Sequence, residues 1–255
     1  MIKTVSLLFT RVWLRNFWVW KKHVRASLIG NLGQPFLFLI AMGYGLGRNV
    51  PEINGLSYLQ FIAPGLVASS VMYSAAFEAT YGSYTRLATQ KTFDAILMTP
   101  VSVYDLAMGE IIWGATKGLI SGLIMLGAIP LFGIVPSPWT PLLIPILFLE
   151  GITFSSLGMI MTAKAPNYEF FNYFTSLLIT PLFLFSGIFF PMESLGHTPR
   201  MIVNYLPLAS PVELSRALCY GYLNWVTWER LFILLAYSVL TSVCASLLVR
   251  KRLIR

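Results

Sequence analysis

Residues 139–163 read Trp139-Thr-Pro-Leu-Leu-Ile-Pro-Ile-Leu-Phe-Leu-Glu150-Gly-Ile-Thr-Phe-Ser-Ser-Leu-Gly-Met-Ile-Met-Thr-Ala163, an apolar run broken by a single charge. A bilayer's hydrocarbon core is crossed by about 20 consecutive apolar residues in a helix. Nothing in this stretch alternates as a strand would, so it reads as a transmembrane helix. Similar runs lie at 28–47, 58–82, 104–132, 170–190 and 230–249, which makes six spans. The whole chain agrees: 255 residues, 56% hydrophobic and only 11% charged, with mean hydropathy +0.72. Soluble globular domains carry about 25% charged residues, so a soluble enzyme is excluded, and the short remainder leaves no room for a separate catalytic domain.

Charge gives the orientation. Of 18 Lys and Arg, thirteen fall in residues 1–27, the loop 83–103, Lys164 and the C-terminal end. Arg48, Arg200, Arg216 and Arg230 fall on the other side, and Lys117 lies within a span. Excess cations mark the cytoplasmic side, so both termini are expected in the cytoplasm. The formal net charge of +8 is thus a membrane-orientation signal, and no basic patch with interleaved aromatics points to nucleic acid. The run before Lys22 is interrupted by Arg11 and Arg15, so no signal peptide is expected and the N-terminus is expected to be retained. Cys219 and Cys244 form neither a disulfide framework nor a metal pair.

Residues 1–27 form their own unit. Ile2, Val5, Phe9, Trp13, Phe17, Trp20 and Val24 recur at helical spacing, while Arg11, Arg15 and Lys22 occupy another face. This suits a helix lying in the membrane interface, with Trp at headgroup depth. Residues 28–255 then form one six-span domain. At the opposite end, Pro191, Pro199, Pro207 and Pro211 cut the apolar segment 191–229 into pieces too short to span, which predicts short re-entrant helices.

Four ionisable groups sit inside the spans: Glu78, Glu110, Lys117 and Glu150. An unpaired charge there is costly, and Lys117 and Glu150 share the midplane depth, so they are the expected pair, whether fixing the packing or lining a path. Gly114, Gly118 and Gly122 form overlapping GxxxG steps that permit close helix approach, within the chain or between subunits. There is no HExxH, no GxSxG and no Cys/His cluster, so no catalytic or metal-binding residue is expected. There is also no G-x-x-x-x-G-K-[ST] phosphate cradle, so nucleotide hydrolysis must come from a partner. Residues 86–98 form a short amphipathic cytoplasmic helix with Leu87, Phe93, Ile96 and Leu97 available to fill a groove, stopped by Thr99-Pro100. Tyr73, Phe77 and Tyr81 on the second span and Phe171, Phe174 and Phe185 on the fifth are the aromatic candidates for a substrate path.

Four motifs lie in register with these spans: Phe61-Ile-Ala-Pro-Gly65, Phe93-Asp-Ala-Ile-Leu-Met-Thr-Pro-Val-Ser102, Phe185-Ser-Gly-Ile-Phe-Phe-Pro191 and Leu206-Pro-Leu-Ala-Ser-Pro-Val-Glu213. Together they resemble the type 2 ABC-transporter permease family over nearly the whole chain. Tyr44-Gly-Leu-Gly47, Phe77-Glu-Ala-Thr-Tyr81, Gly109-Glu-Ile-Ile-Trp-Gly-Ala-Thr-Lys117 and Ala163-Lys-Ala-Pro-Asn-Tyr168 point within it to the nodulation subgroup, whereas Thr99-Pro100 follows general members.

The resemblance implies a homodimeric permease in a bacterial inner membrane that docks two copies of a separate ATPase and exports an amphiphilic glycan or lipid. In the nodulation subgroup the cargo is a lipo-chitooligosaccharide. It implies no cofactor on this chain, with ATP and Mg held by the partner. The N-terminal helix would correspond to the family's connecting helix, and the 86–98 segment to its coupling helix. Arg86, Leu87, Lys91, Phe93, Asp94, Ile96 and Leu97 would carry the ATPase contact. The competing reading is a secondary transporter or channel driven by an ion gradient, favoured only by the midplane carboxylate of Glu150.

Overall fold

The computed structural model describes residues 7–22, 24, 33, 35–47, 49–194 and 196–254. Among these residues the regular structure is all helical, joined by short loops, apart from one isolated bridge between Ile53 and Leu56. The elements are α1 (Phe9–Lys21), α2 (Pro35–Leu46), α3 (Tyr58–Phe77, carried on by π-turns to Thr89), α4 (Thr92–Leu97), α5 (Val103–Ala128) and α6 (Leu143–Lys164). They are followed by α7 (Phe170–Phe185), α8 (His197–Asn204), α9 (Ala209–Tyr220) and α10 (Trp225–Leu253).

Among the described residues four helices are long and apolar enough to cross a bilayer: α3 with its extension, α5, α6 and α10. The expected first and fifth spans are represented by the shorter α2 and α7. The start of the first expected span, like Ile2 and Val5 of the N-terminal helix, lies outside the described residues. Pro181, four residues before the end of α7, and the left-handed Gly187 just beyond it (φ 76°) limit that helix's length.

Helix ends follow their side chains. Ser57 with Gln60 and Ser102 with Asp105 make reciprocal capping boxes that start α3 and α5. Asn224 with Thr227 does the same for α10. Gly221 ends α9 in the left-handed region at φ 77°. At the far end of α6, the Arg252 guanidinium donates to the carbonyls of Thr162, Ala163 and Ala165 at 3.1, 3.2 and 2.6 Å, satisfying carbonyls that the helix leaves without partners.

Helix α3 is the axis of the bundle and is buried along nearly its whole length. The Gly114-Gly118-Gly122 face of α5 packs within the chain. A Cβ on Gly118 would meet Val71 and Ala75 of α3 at 3.1 Å, and one on Gly114 would strike Ser155 of α6. Gly109 admits α1 across the base of α5, because a Cβ there would lie 2.6 Å from Val12 and 2.8 Å from the Phe9 carbonyl. The large core joins α3, α5, α6, α7 and α9. A second cluster around Val12, Phe93, Leu106, Ile111, Met159 and Val249 occupies the end that carries α1. Helices α6 and α10 both finish at this end, as the Arg252 bonds require. Between them α7 leads the chain back: Phe171 lies beside Tyr81 near the α1 end, and Phe183 beside Tyr73 farther along α3.

Candidate functional site

At the α1 end, π-turns widen α3 over Glu78–Gly82 and Thr85–Thr89. Such turns shift side-chain azimuth and occur frequently at functional sites. Here they aim Glu78, Ser83 and Arg86 at α5 and α1. Glu110 of α5 is wholly buried and accepts from Asn16 Nδ2 on one oxygen (2.7 Å). Its other oxygen accepts from Ser83 Oγ (2.7 Å) and from Arg86 Nε (3.0 Å) and Nη2 (2.6 Å). Arg86 also reaches Glu78 Oε1 at 2.9 Å. Glu78 accepts in addition from Trp113 Nε1 (2.9 Å) and pairs with Lys117 Nζ (2.7 Å). Two carboxylates thus alternate with two cations, and the cluster is neutral.

The cluster joins three elements. Arg15 of α1 donates to Asn16 Oδ1 (2.9 Å) and to Thr92 Oγ1 at the start of α4 (3.5 Å). Partial burial, with repulsion from Arg86 added and attraction to Glu110 opposing, draws the Arg15 guanidinium below its ordinary range. Trp13 donates to Thr116 (3.0 Å), and Trp113 packs against the rings of Trp13, Phe17 and Trp20 with centroids 5.9–6.5 Å apart. Helix α1, the base of α3 and the lower half of α5 therefore form one hydrogen-bonded unit that reaches the root of α4.

This arrangement corrects one expectation. Lys117 pairs with Glu78 and not with Glu150, because α6 presents Gly151 to Ala115 of α5, and Glu150 lies about 100° further round the helix. Both Glu150 oxygens are buried without a hydrogen-bond partner among the described residues.

The expected 86–98 helix is divided. Arg86 and Leu87 belong to the π-turned end of α3, Lys91 adopts a left-handed conformation (φ 53°), and α4 follows. Phe93 is buried within this chain, and Leu87, Ile96 and Leu97 pack partly against the same cluster. Phe93 is therefore held inside this chain, while Leu87, Ile96 and Leu97 keep part of their surface exposed. The exposed face of the turn consists of Lys91, Asp94, Ala95 and Met98. Met98, an apolar side chain 88% exposed, carries no mark in the sequence that separates it from the inward-facing Ile96 and Leu97 beside it.

Along α3 the aromatics form a ladder. Tyr73, Phe77 and Tyr81 contact in series at 5.7 and 5.9 Å. Tyr81 continues to Phe171 at 5.2 Å, and Tyr73 to Phe183 at 5.5 Å. Phe183 meets Phe38 of α2 and Phe189, rings not anticipated from sequence. Phe174 faces the core instead, and Phe185 is half exposed together with Tyr173, Leu177 and Leu184. Below the ladder, the Tyr168 hydroxyl lies 2.9 Å from Thr85 Oγ1 and 3.1 Å from Thr89 Oγ1, and these bonds draw its pKa below the ordinary phenol range.

Comparison with known proteins agrees with this architecture. The sequence profile of the ABC-2 type transporter family matches residues 8–220. Nodulation protein J of Rhizobium leguminosarum bv. trifolii is 36% identical over 98% of this chain and 95% of its own length. That of Bradyrhizobium diazoefficiens is 35% identical over 97% and 94%. The inner membrane transport permease YadH of Escherichia coli is 27% identical over 74% and 72%. The span pattern, the motifs in register and these matches together establish that the chain is a multi-pass membrane protein belonging to the ABC-2 type transporter family.

Proposed function

We propose that this chain is the permease subunit of an ATP-driven exporter, with ATP and Mg bound by a separate ATPase and an amphiphilic glycan or lipid as cargo. It works as a homodimer with two ATPase copies in the bacterial inner membrane. The chain crosses six times with both termini in the cytoplasm. Helix α2 and α7 complete the count, α1 (within 1–27) lies in the interface, residues 28–255 form the single membrane domain, and α8 and α9 dip into the outer leaflet. The passage of α7 back along α3 supports an even number of crossings.

The observation that carries the reading is the charge cluster that joins α1, the base of α3 and α5 next to α4. A force on α4 from outside the membrane meets a rigid, neutral, buried unit and is delivered to α3 and α5 together. The bundle then shifts between inward- and outward-facing populations as the ATPases close and open. A polar head cannot cross hydrocarbon without losing its hydrogen bonds. The ladder Tyr73–Phe77–Tyr81–Phe171 offers ring faces and phenol oxygens along α3 while the cargo's tail stays in lipid.

The test is affinity capture of the tagged chain from native membranes, comparing wild type with Asp94→Lys/Met98→Asp. Both positions are exposed, so the variant keeps its fold. A stoichiometric ATPase captured by wild type and lost from the variant is the expected result; capture of no ATPase by wild type overturns the proposal.

A further inference from the structure

Where α6 and α10 end, Ala163, Lys164, Pro166, Leu248, Lys251 and Arg252 line a recess of about 400 Å³. It contains three cations and no carboxylate. Arg252 is fixed by its three carbonyl bonds and by the Tyr84 ring, 5.9 Å from its guanidinium. Lys164 and Lys251 are exposed and have no carboxylate partner among the described residues. The charge cluster does not involve them, and the proposed ATPase contact lies on α4.

An apolar track leads into this recess. Leu240, Val243 and Leu247 are exposed on α10 and follow helical spacing straight to Lys251, so they share its face. In a bilayer that face is met by acyl chains, and the recess lies where the apolar helices end, at headgroup depth. Basic pockets between the cytoplasmic ends of membrane helices hold anionic head groups.

We propose that the recess is a binding site for an anionic phospholipid of the cytoplasmic leaflet, its phosphate held by Lys164, Lys251 and Arg252 and its chains lying along Leu240, Val243 and Leu247. The phosphate then joins Arg252, the residue that closes the end of α6. Arg252 also borders the small gap lined by Leu87 and Phe93, so lipid occupancy stiffens the seat of α4. The assignment rests on the membrane orientation proposed above but not on ATP coupling.

The test uses the purified, delipidated full chain, with phosphatidylglycerol and phosphatidylcholine as probes and bound lipid read by native mass spectrometry. Wild type is expected to prefer phosphatidylglycerol. Each near-surface cation contributes about 1 kcal/mol toward an anionic lipid, and 1.4 kcal/mol is tenfold. Lys164→Gln/Lys251→Gln should therefore weaken phosphatidylglycerol binding roughly thirtyfold, while Lys164→Arg/Lys251→Arg retains it. Arg200→Gln removes an exposed cation at the opposite end of the bundle and should leave this binding unchanged. The proposal is overturned by equal weakening in the two charge-neutralised variants, or by no preference for phosphatidylglycerol. Loss of a captured ATPase from the Lys164/Lys251 variant with lipid binding intact also overturns it and makes the recess a protein-docking face. Because no nucleotide or ATPase enters the lipid assay, failure of the exporter reading does not affect it. Labelling of Lys251→Cys in a Cys219→Ala/Cys244→Ala background, by an impermeant maleimide in sealed vesicles of each orientation, checks the membrane side separately.

Discussion

Replacing Arg86 by Met should be the most damaging change in the charge cluster. Among the described residues it removes the one cation in direct ion-pair contact with Glu110, whose side chain is 0% exposed, leaving that carboxylate with Asn16, Ser83 and the more distant charge of Arg15. Removing one partner of a buried pair costs about 3–5 kcal/mol, because the other charge stays buried. Lys117→Met is milder, since Glu78 keeps Arg86 and Trp113; the loss of one charge-assisted hydrogen bond is about 1.5–3 kcal/mol. Thermal unfolding of the purified chain, followed by tryptophan fluorescence, reads both. For a chain of this size about 1 kcal/mol shifts Tm by about 2–4 °C, so Arg86→Met should lower Tm by roughly 6–20 °C. Adding Glu110→Gln to Arg86→Met should recover much of that loss. Adding Glu78→Lys to Lys117→Glu should restore its pair, whereas adding Glu150→Lys should not. The reasoning is refuted if Arg86→Met costs less than about 1 kcal/mol, or if Glu150→Lys is the substitution that rescues Lys117→Glu.

Further predictions follow from the packing and from the ladder. Gly118→Val should destabilise by about 1–3 kcal/mol through overpacking, because Val71 and Ala75 already stand at 3.1 Å. Gly127→Ala, with nothing within 4 Å of the added carbon, should raise Tm slightly, consistent with about 0.4–1 kcal/mol; denaturation curves check both. Asn224→Ala should remove the α10 cap at a cost of about 1 kcal/mol, read as faster amide exchange over residues 225–229. Phe77→Ala breaks the ladder at two ring contacts, each worth about 0.5–1.5 kcal/mol. Export in membrane vesicles should fall several-fold while ATPase capture is unchanged.

Position along the helices was legible in the sequence, and azimuth was not. Apolar run lengths located α3, α5, α6 and α10 within a few residues, and the i, i+4, i+8 spacing of Tyr73, Phe77 and Tyr81 put them on one stripe. The same reasoning placed Lys117 and Glu150 at one depth but could not tell which face of α6 meets α5. The π-turns at Glu78–Gly82 and Thr85–Thr89 rotate Glu78 and Arg86 by an amount that no 3.6-residue pattern registers. Lys91 adopts a left-handed φ usually reserved for Gly or Asn, so its bend carries no compositional mark. It is this bend that turns Phe93 inward and leaves Met98 outside.

The most direct test of the central claim is export by the complex reconstituted in liposomes, with a fluorescent lipo-oligosaccharide as cargo. The account predicts translocation that requires ATP, stops with vanadate and is indifferent to ionophores. Translocation by this chain alone, driven by a proton or sodium gradient and independent of nucleotide, would contradict it.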